Sequence, residues 1–466
     1  MSEREPQPAE PRRLRIAMVG TRGVPAAYSG FETAVEEIGQ RLVAHGHDVT
    51  VYCRKGAVEP LREYLGMKLV HLPAVRSKTM ETLSHTTLSS LHLLVHRRHD
   101  VAFVFNAANA PLVPLIRARG AATAVHVDGL EWKRDKWSGT GKKYYRLAEQ
   151  FAVRSADALI ADAAGIADYY DHEFGVPTEL LTYGSTILKN SGADRLAELG
   201  LQPGQYHLVV ARFEPENHVD VIVEGYRASA ATLPLVVVGS APYSHSYTQK
   251  IQAVAETDAR IHLLGGVWDQ QLLNQLYANA LTYSHGHSVG GTNPSLLRAM
   301  GAGTSVVAWN VVFNREVLGG NGRYFDSPAE LGRLLEAAEA DRIGTKRLGE
   351  RLADRAAARY DWDDVCAGYE RLAQKLAAGY STRGLSKGRR AAVSWDASAS
   401  TATLDDAPHS VTTAADVSAA RDGAAHAAPV TDAALNPTRS GRSEQSDGSS
   451  RSERSNSIDS AARRVS

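Results

Sequence analysis

The feature that most constrains this chain is a rhythm. Short apolar runs alternate with amphipathic segments; the alternation runs through once, breaks, and then starts again. Leu14–Val19 reads as a buried strand, Phe31–His45 as a helix with Val35, Ile38 and Leu42 on one face, and Asp48–Cys53 as the next strand. Further strands are expected at Val101–Phe105, Ala122–His126, Ala158–Ala161 and Glu179–Thr182. After a polar stretch from Ser185 to Gln205 the pattern restarts, with strands at Tyr206–Ala211, Leu235–Gly239, Arg260–Leu264, Leu281–Tyr283 and Ser305–Ala308. Helices at Ala329–Ala340 and Thr345–Ala358 follow, and a last one at Trp362–Ala377 closes the fold by crossing back. Strands alternating with helices build parallel sheets covered on both faces. The expectation is therefore an α/β chain of two Rossmann-like, doubly wound domains, 14–190 and 191–381, after a flexible N-terminus at 1–13.

From residue 382 to 466 the sequence shifts to Ser, Ala, Arg, Asp and Thr, with Trp395 as its one aromatic residue. Such a composition buries too little apolar surface to offset the entropy of ordering, so a disordered tail is expected. The remaining length of the 466-residue chain, 43% apolar overall, suffices for two cores. Lys+Arg and Asp+Glu both number 52, which argues against a nucleic-acid partner. Cys53 and Cys366 are the two cysteines, too few for a disulfide framework and in keeping with a reducing compartment. The polar opening, Met1–Arg13, does not resemble a signal peptide. The apolar region Val101–Ile116 is broken by Asn106, Asn109, Pro111 and Pro114, short of the roughly 20 residues a membrane helix needs. A cytoplasmic protein is expected, with peripheral contact at the inner membrane face left open.

Four stretches carry candidate chemistry. The first strand runs into Gly20-Thr21-Arg22-Gly23-Val24-Pro25, where Gly20 and Gly23 would let backbone amides approach a ligand at a helix start. The loop is longer than a dinucleotide fingerprint and contains Arg and Pro, which places a nicotinamide-dependent oxidoreductase well behind other readings. In Ser284-His285-Gly286-His287-Ser288-Val289-Gly290-Gly291-Thr292-Asn293-Pro294-Ser295, Asn293 is an N-cap and Pro294 a first helical residue, so the preceding N–H groups form an anion cradle suited to a diphosphate. Arg212 follows a strand, at the sheet edge where open α/β folds bind ligands, and could neutralise phosphate charge. Trp132-Lys133-Arg134-Asp135-Lys136-Trp137, continuing through Lys142, Lys143, Tyr144, Tyr145 and Arg146, mixes cations with aromatics and reads either as a lipid-facing surface or as a solvated face. Asp361-Trp362-Asp363 reads as a helix cap rather than a metal motif.

At these positions the sequence resembles glycosyltransferase family 4, and more narrowly its bacterial rhamnosyltransferase-like members. The resemblance spans residues 14–380. It runs through Gly-Thr-Arg-Gly-Val-Pro at 20–25, Gly-Phe-Glu-Thr at 30–33, His-Val-Asp-Gly-Leu-Glu-Trp-Lys-Arg at 126–134, Ala-Arg-Phe-Glu-Pro-Glu-Asn at 211–217, Gly-His-Ser-Val-Gly-Gly-Thr-Asn-Pro-Ser at 286–295 and Phe-Asn-Arg-Glu-Val-Leu at 313–318. It implies a GT-B architecture, with two domains facing a central cleft, the donor nucleotide sugar on the second and the acceptor on the first.

The resemblance further implies a retaining, metal-independent transferase without a cofactor. It would move a sugar, rhamnose by resemblance, to a glycan or polyprenyl-diphosphate-linked acceptor in cell-surface polysaccharide synthesis. Arg212 would contact the donor diphosphate, and Gly290, Gly291, Thr292, Asn293 and Ser295, with His287 nearby, would surround sugar and phosphates. His126 would lie near the transferred sugar, and Asp128 and Glu131 would orient hydroxyls. Two glutamates usual in the family correspond here to Gly290 and Arg298, and Asn217 stands where a lysine commonly helps hold the diphosphate. Arg298 motivates an alternative reading, a nucleotide-sugar-binding pseudoenzyme that scaffolds an assembly complex.

Overall fold

The computed structural model describes residues 12–26, 30–75, 77, 80–127, 129–134, 137, 139–239, 245–386, 388 and 389. Two parallel sheets organise them. The first contains β1 (Arg15–Val19), β2 (Asp48–Arg54), β3 (Glu63–Tyr64), β4 (Met67–Leu72), β5 (Val101–Phe105), β6 (Ala122–His126), β7 (Ala158–Ala161) and β8 (Glu179–Leu180). Their spatial order is β3-β4-β2-β1-β5-β6-β7-β8, with only β3 antiparallel. The second contains β9 (His207–Val210), β10 (Leu235–Val238), β11 (Ile261–Gly265), β12 (Thr282–His285), β13 (Ser305–Trp309) and β14 (Arg323–Phe325), in the order β11-β10-β9-β12-β13-β14. Both sheets are thus doubly wound. The order reverses between β1 and β5 in the first and between β9 and β12 in the second, the positions where such folds open a crevice.

Helices cover both faces. In the first half these are α1 (Gly30–Ala44), α2 (Glu81–Val95), α3 (Val113–Arg117), α4 (Gly139–Ser155) and α5 (Ala164–Phe174). In the second they are α6 (Val219–Ala228), α7 (His245–Ala255), α8 (Gln270–Ala278), α9 (Pro294–Gly301), α10 (Val312–Leu318), α11 (Pro328–Ala340), α12 (Arg342–Arg359) and α13 (Trp362–Ala377). The two-residue alternation of strand side chains decides which core each residue joins. Ile16 and Met18 point to the layer that holds α1 and α13, whereas Ala17 and Val19 point to the layer of α2–α5.

The last helix returns to the first sheet. Tyr369 of α13 meets Phe103 of β5 edge-on at 5.2 Å, Asp363 pairs with Arg41 at 2.6 Å, and Glu370 meets His47 at 3.0 Å. Its cap is Asp361, whose carboxylate accepts from the Asp363 amide at 2.7 Å. The chain stays seated past residue 381: the Thr382 amide donates to the Asp157 carbonyl at 2.7 Å, and Arg389 pairs with Glu149 and Glu173, each at 2.7 Å. The tail expected from there onward lies, from residue 390, outside the described residues. Among the described residues no helix is long and apolar enough to cross a membrane.

Candidate active site

The crevice of the second sheet is built first by a short turn after β9. Arg212 leaves this turn exposed, and among the described residues no side chain forms a hydrogen bond or ion pair with its guanidinium. Asn217 is buried and donates its side-chain N–H to the Arg212 carbonyl at 2.8 Å, so it braces the arginine's backbone rather than reaching outward. His218, in the left-handed conformation, stacks on Trp309 at 3.8 Å and engages the Gly286 carbonyl through Nδ1 at 2.8 Å. His285 and His287 stack at 4.4 Å across the same strand end. Burial pushes His285 down to about 3; His287 is held well below the usual histidine range by burial, with His285, Arg212 and Arg134 adding to it. Both rings are therefore neutral hydrogen-bonding groups at physiological pH.

The glycine loop then delivers the start of α9. Asn293 accepts from the Ser295 amide at 2.9 Å and Pro294 occupies the first turn, as the sequence anticipated. Ser295 is half-buried in that turn. Arg298, about one turn further along α9, faces away from this end: its guanidinium donates to Asn274 at 3.0 Å and Gln270 at 2.9 Å on α8. Burial lowers its pKa, and it lies over the Tyr277 ring at 5.6 Å.

The corresponding crevice of the first sheet is filled more from within. Gly20 and Gly23 both have positive φ, and a Cβ on Gly23 would lie 2.5 Å from the Cys53 sulfur, so close packing requires glycine there. The loop's amides are partly spoken for. Arg22 N–H donates to Glu32 at 2.9 Å, Ala26 N–H to Glu36 at 2.7 Å and Gly23 N–H to the Thr21 hydroxyl at 3.2 Å. Three of the amides that the glycines would let approach a ligand are thus engaged within the loop's own surroundings. His126, at the end of β6, is buried among Phe31, Phe105 and Tyr183 at 5.2–5.9 Å between ring centroids. Burial drives it down to about 3, and its buried Nδ1 has no hydrogen-bond partner among the described residues. Asp128 lies outside the described residues.

Residues from the two crevices meet. A Cβ on Gly30 would come within 2.5 Å of the Pro294 ring, so the N-termini of α1 and α9 adjoin, two positive helix ends at one place. Gly129 abuts Gly290, and a Cβ on Gly291 would overlap the Asp162 carboxylate. The Thr292 hydroxyl donates to the Asp162 carbonyl at 2.5 Å. Arg134 spans the junction, 2.6 Å from Glu131 and 3.4 Å from Glu216, while Glu131 also accepts from the Trp137 indole at 3.2 Å. Glu131 is thus an anchor of that bridge. Glu316 of α10 reaches the first half as well, accepting from the Ala164 amide at 2.8 Å. Burial, reinforced by Glu316, raises Asp162 to about 8; burial, opposed by the Ala164 and Gly165 amides, raises Glu316 to about 7. Sequence reasoning had not singled out Asp162, Glu216 or Glu316. Glu316 lies in the 313–318 motif, but nothing in the sequence joins it to residues some 150 positions earlier.

The geometry agrees with comparisons to known proteins. Residues 29–183 match a family described as glycosyl transferase 4-like domain, and residues 204–340 match glycosyl transferases group 1; together the two matches span more than half of the chain. No curated protein matches in sequence. Among solved structures, sucrose-phosphate synthase from Thermosynechococcus elongatus is similar with a TM-score of 0.66 at 17% identity, over 78% of this chain and 100% of that one. HepE of Anabaena, in complex with UDP, gives 0.63 at 16% over 78% and 100%. The α,α-trehalose 6-phosphate synthase from Burkholderia multivorans gives 0.60 at 11% over 79% and 98%. At these identities the structural likeness carries the fold, and the two domain matches carry the class. The chain belongs to the glycosyltransferases, in the GT-B fold.

Proposed function

We propose that the protein is a retaining glycosyltransferase that moves a sugar, rhamnose by its sequence resemblance, from a nucleotide donor to a glycan or lipid-linked acceptor in cell-surface polysaccharide synthesis. The observation that carries this reading is the exposed guanidinium of Arg212, unpaired among the described residues, at the crevice of the second sheet, with the capped N-terminus of α9 after the neighbouring strand. Fixed positive charge aimed at one place stabilises a departing diphosphate without reorganising during the reaction. It also supplies the charge compensation that a divalent cation would otherwise provide, which supports metal-independent transfer.

In this mechanism the donor diphosphate spans Arg212 and the amides at 290–295, and the sugar points towards His126. Neutral His126 offers a hydrogen bond rather than an acidic proton. The acceptor hydroxyl attacks from the face the diphosphate leaves, a donor phosphate oxygen takes the proton, and the anomeric configuration is kept. The nucleotide bound by HepE of Anabaena supports a nucleotide-diphosphate donor. A lipid-linked acceptor would bring the protein to the cytoplasmic face of a membrane.

Arg298 favours a second reading, a nucleotide-sugar-binding scaffold. Its guanidinium sits where the family places a carboxylate and is committed to α8. Release of nucleoside diphosphate from UDP-, dTDP- and GDP-sugars, with and without membrane-extracted acceptor lipid, separates the two. Acceptor-dependent release supports transfer. Donor binding without release, restored by Arg298→Glu, supports the scaffold.

A further inference from the structure

Helix α2 is built inside out. His85, Thr86, Ser89 and Ser90 are fully buried on its inner face, where the Ser89 hydroxyl donates to the His85 carbonyl at 2.8 Å and that of Ser90 to the Thr86 carbonyl at 2.7 Å. Its outer face carries Leu88, Leu91 and Val95, and Val95 is 72% exposed. Spacings of three and four residues align these side chains in one stripe. A helix that buries serines and shows leucines to solvent presents an apolar stripe that none of the described residues covers.

The charge around the stripe indicates what that partner is. The one carboxylate of α2, Glu81, is turned to Arg54 and Arg22 at 3.3 and 3.6 Å. Past the helix end, Arg97 and Arg98 are exposed, with no hydrogen bond or ion pair among the described residues. Beneath them lies a cavity of about 230 Å³ whose lining includes Lys68, His92, His96, Arg97 and Arg98, with Asp48 as its acidic member. The Asp48 carboxylate pairs with Arg13 at 2.9 Å and with Lys68 at 3.9 Å, which leaves Arg97 and Arg98 as the cavity's cations without an ion pair among the described residues.

Helix α4, in the same layer over the sheet, repeats the pattern. Lys143, Arg146, Leu147, Phe151 and Arg154 are its exposed residues at positions that share one face, and Leu147 is 50% exposed. Its one carboxylate, Glu149, is buried against Arg389. Two helices of one layer, both packed against α3, that expose large apolar side chains beside cations and no carboxylate have the character of an interfacial surface.

We infer that the outer face of α2 and α4 docks on an anionic lipid bilayer, with Leu88, Leu91, Val95, Leu147 and Phe151 entering the headgroup layer and the cationic cavity at the end of α2 taking a phosphate headgroup. The physiological sense of this docking rests on the lipid-linked acceptor proposed above, but the surface is tested without donor or acceptor. The full-length protein is floated with vesicles of equal parts phosphatidylcholine and phosphatidylglycerol, and with phosphatidylcholine alone, at low and high salt. Binding is expected only to the anionic vesicles, weakened by salt. Arg97→Ser with Arg98→Ser lowers the partition coefficient roughly fivefold for each arginine removed. Leu91→Ser with Val95→Ser lowers it by about tenfold or more. Nucleoside diphosphate release measured without vesicles stays unchanged in both, so failure of docking and failure of transfer are read separately. No flotation, or flotation that neither double substitution alters, overturns the inference. So does a concentration-dependent dimer that the same substitutions abolish in the absence of vesicle binding, which would assign the face to a protein contact.

Discussion

Asp162 follows β7 of the first sheet and Thr292 lies in the loop after β12 of the second, yet the threonine hydroxyl donates to the main-chain carbonyl of the aspartate at 2.5 Å. The glycine loop that precedes α9 therefore takes its shape partly from the first domain. Transfer requires the donor diphosphate and the acceptor to be held together, and this contact joins the elements proposed to hold them.

Gly291 is the most sensitive point of that junction, because a Cβ there would overlap the Asp162 carboxylate. Gly291→Ala is expected to force the loop from its seat and lower kcat/KM by roughly tenfold or more, since small displacements at a reacting centre are costly. Circular dichroism should show both domains folded. Unaltered kinetics would show that the contact has no part in turnover.

The buried carboxyl pair sets a pH dependence. Asp162, raised to about 8, and Glu316, raised to about 7, keep their protons in the native protein at pH values where the unfolded chain has released them. Unfolding then releases protons, and stability falls as pH rises from the ordinary carboxyl range through those values. Thermal melts between about pH 7 and 8, above the range in which the unfolded chain's histidines take up protons, should show a falling Tm that Asp162→Asn flattens. His126, driven down to about 3, stays neutral in the native protein but takes up a proton in the unfolded chain below about pH 6.5, so it opposes this trend at lower pH and leaves the upper window to the carboxyl pair. A slope unaffected by the substitution would contradict the assignment.

Arg298 donates to Asn274 and Gln270 rather than towards the glycine loop. Arg298→Glu should loosen this attachment and place a carboxylate on α9. If the chain already transfers sugar, nucleotide KM should change while kcat stays within a few-fold; if it is a scaffold, turnover should appear only in the variant.

Much of the fold was legible because strands of parallel sheets are continuous apolar runs, as at Val101–Phe105 and Leu235–Val238. The N-cap at Asn293 and the one at Asp361 were legible because capping is a local chemistry. β4 was less so, since Lys68 and His71 interrupt its apolar residues, and α2 was hidden by its inverted faces. The glycines of the first loop pointed to close approach, but the sequence could not tell whether a ligand or Cys53 was the neighbour. The Thr292–Asp162 and Glu316–Ala164 bonds join residues 130 and 152 positions apart, so only the assembled domains bring them together.

The central claim is that Arg212 serves the donor diphosphate. Its most direct test is acceptor-dependent release of nucleoside diphosphate by the native protein, Arg212→Lys and Arg212→Ala, with the donor that the native protein accepts. Loss of the guanidinium should lower kcat by roughly a hundredfold in the alanine variant, with partial recovery in the lysine variant because the charge is kept without the planar fork. Equal rates in all three would contradict the account.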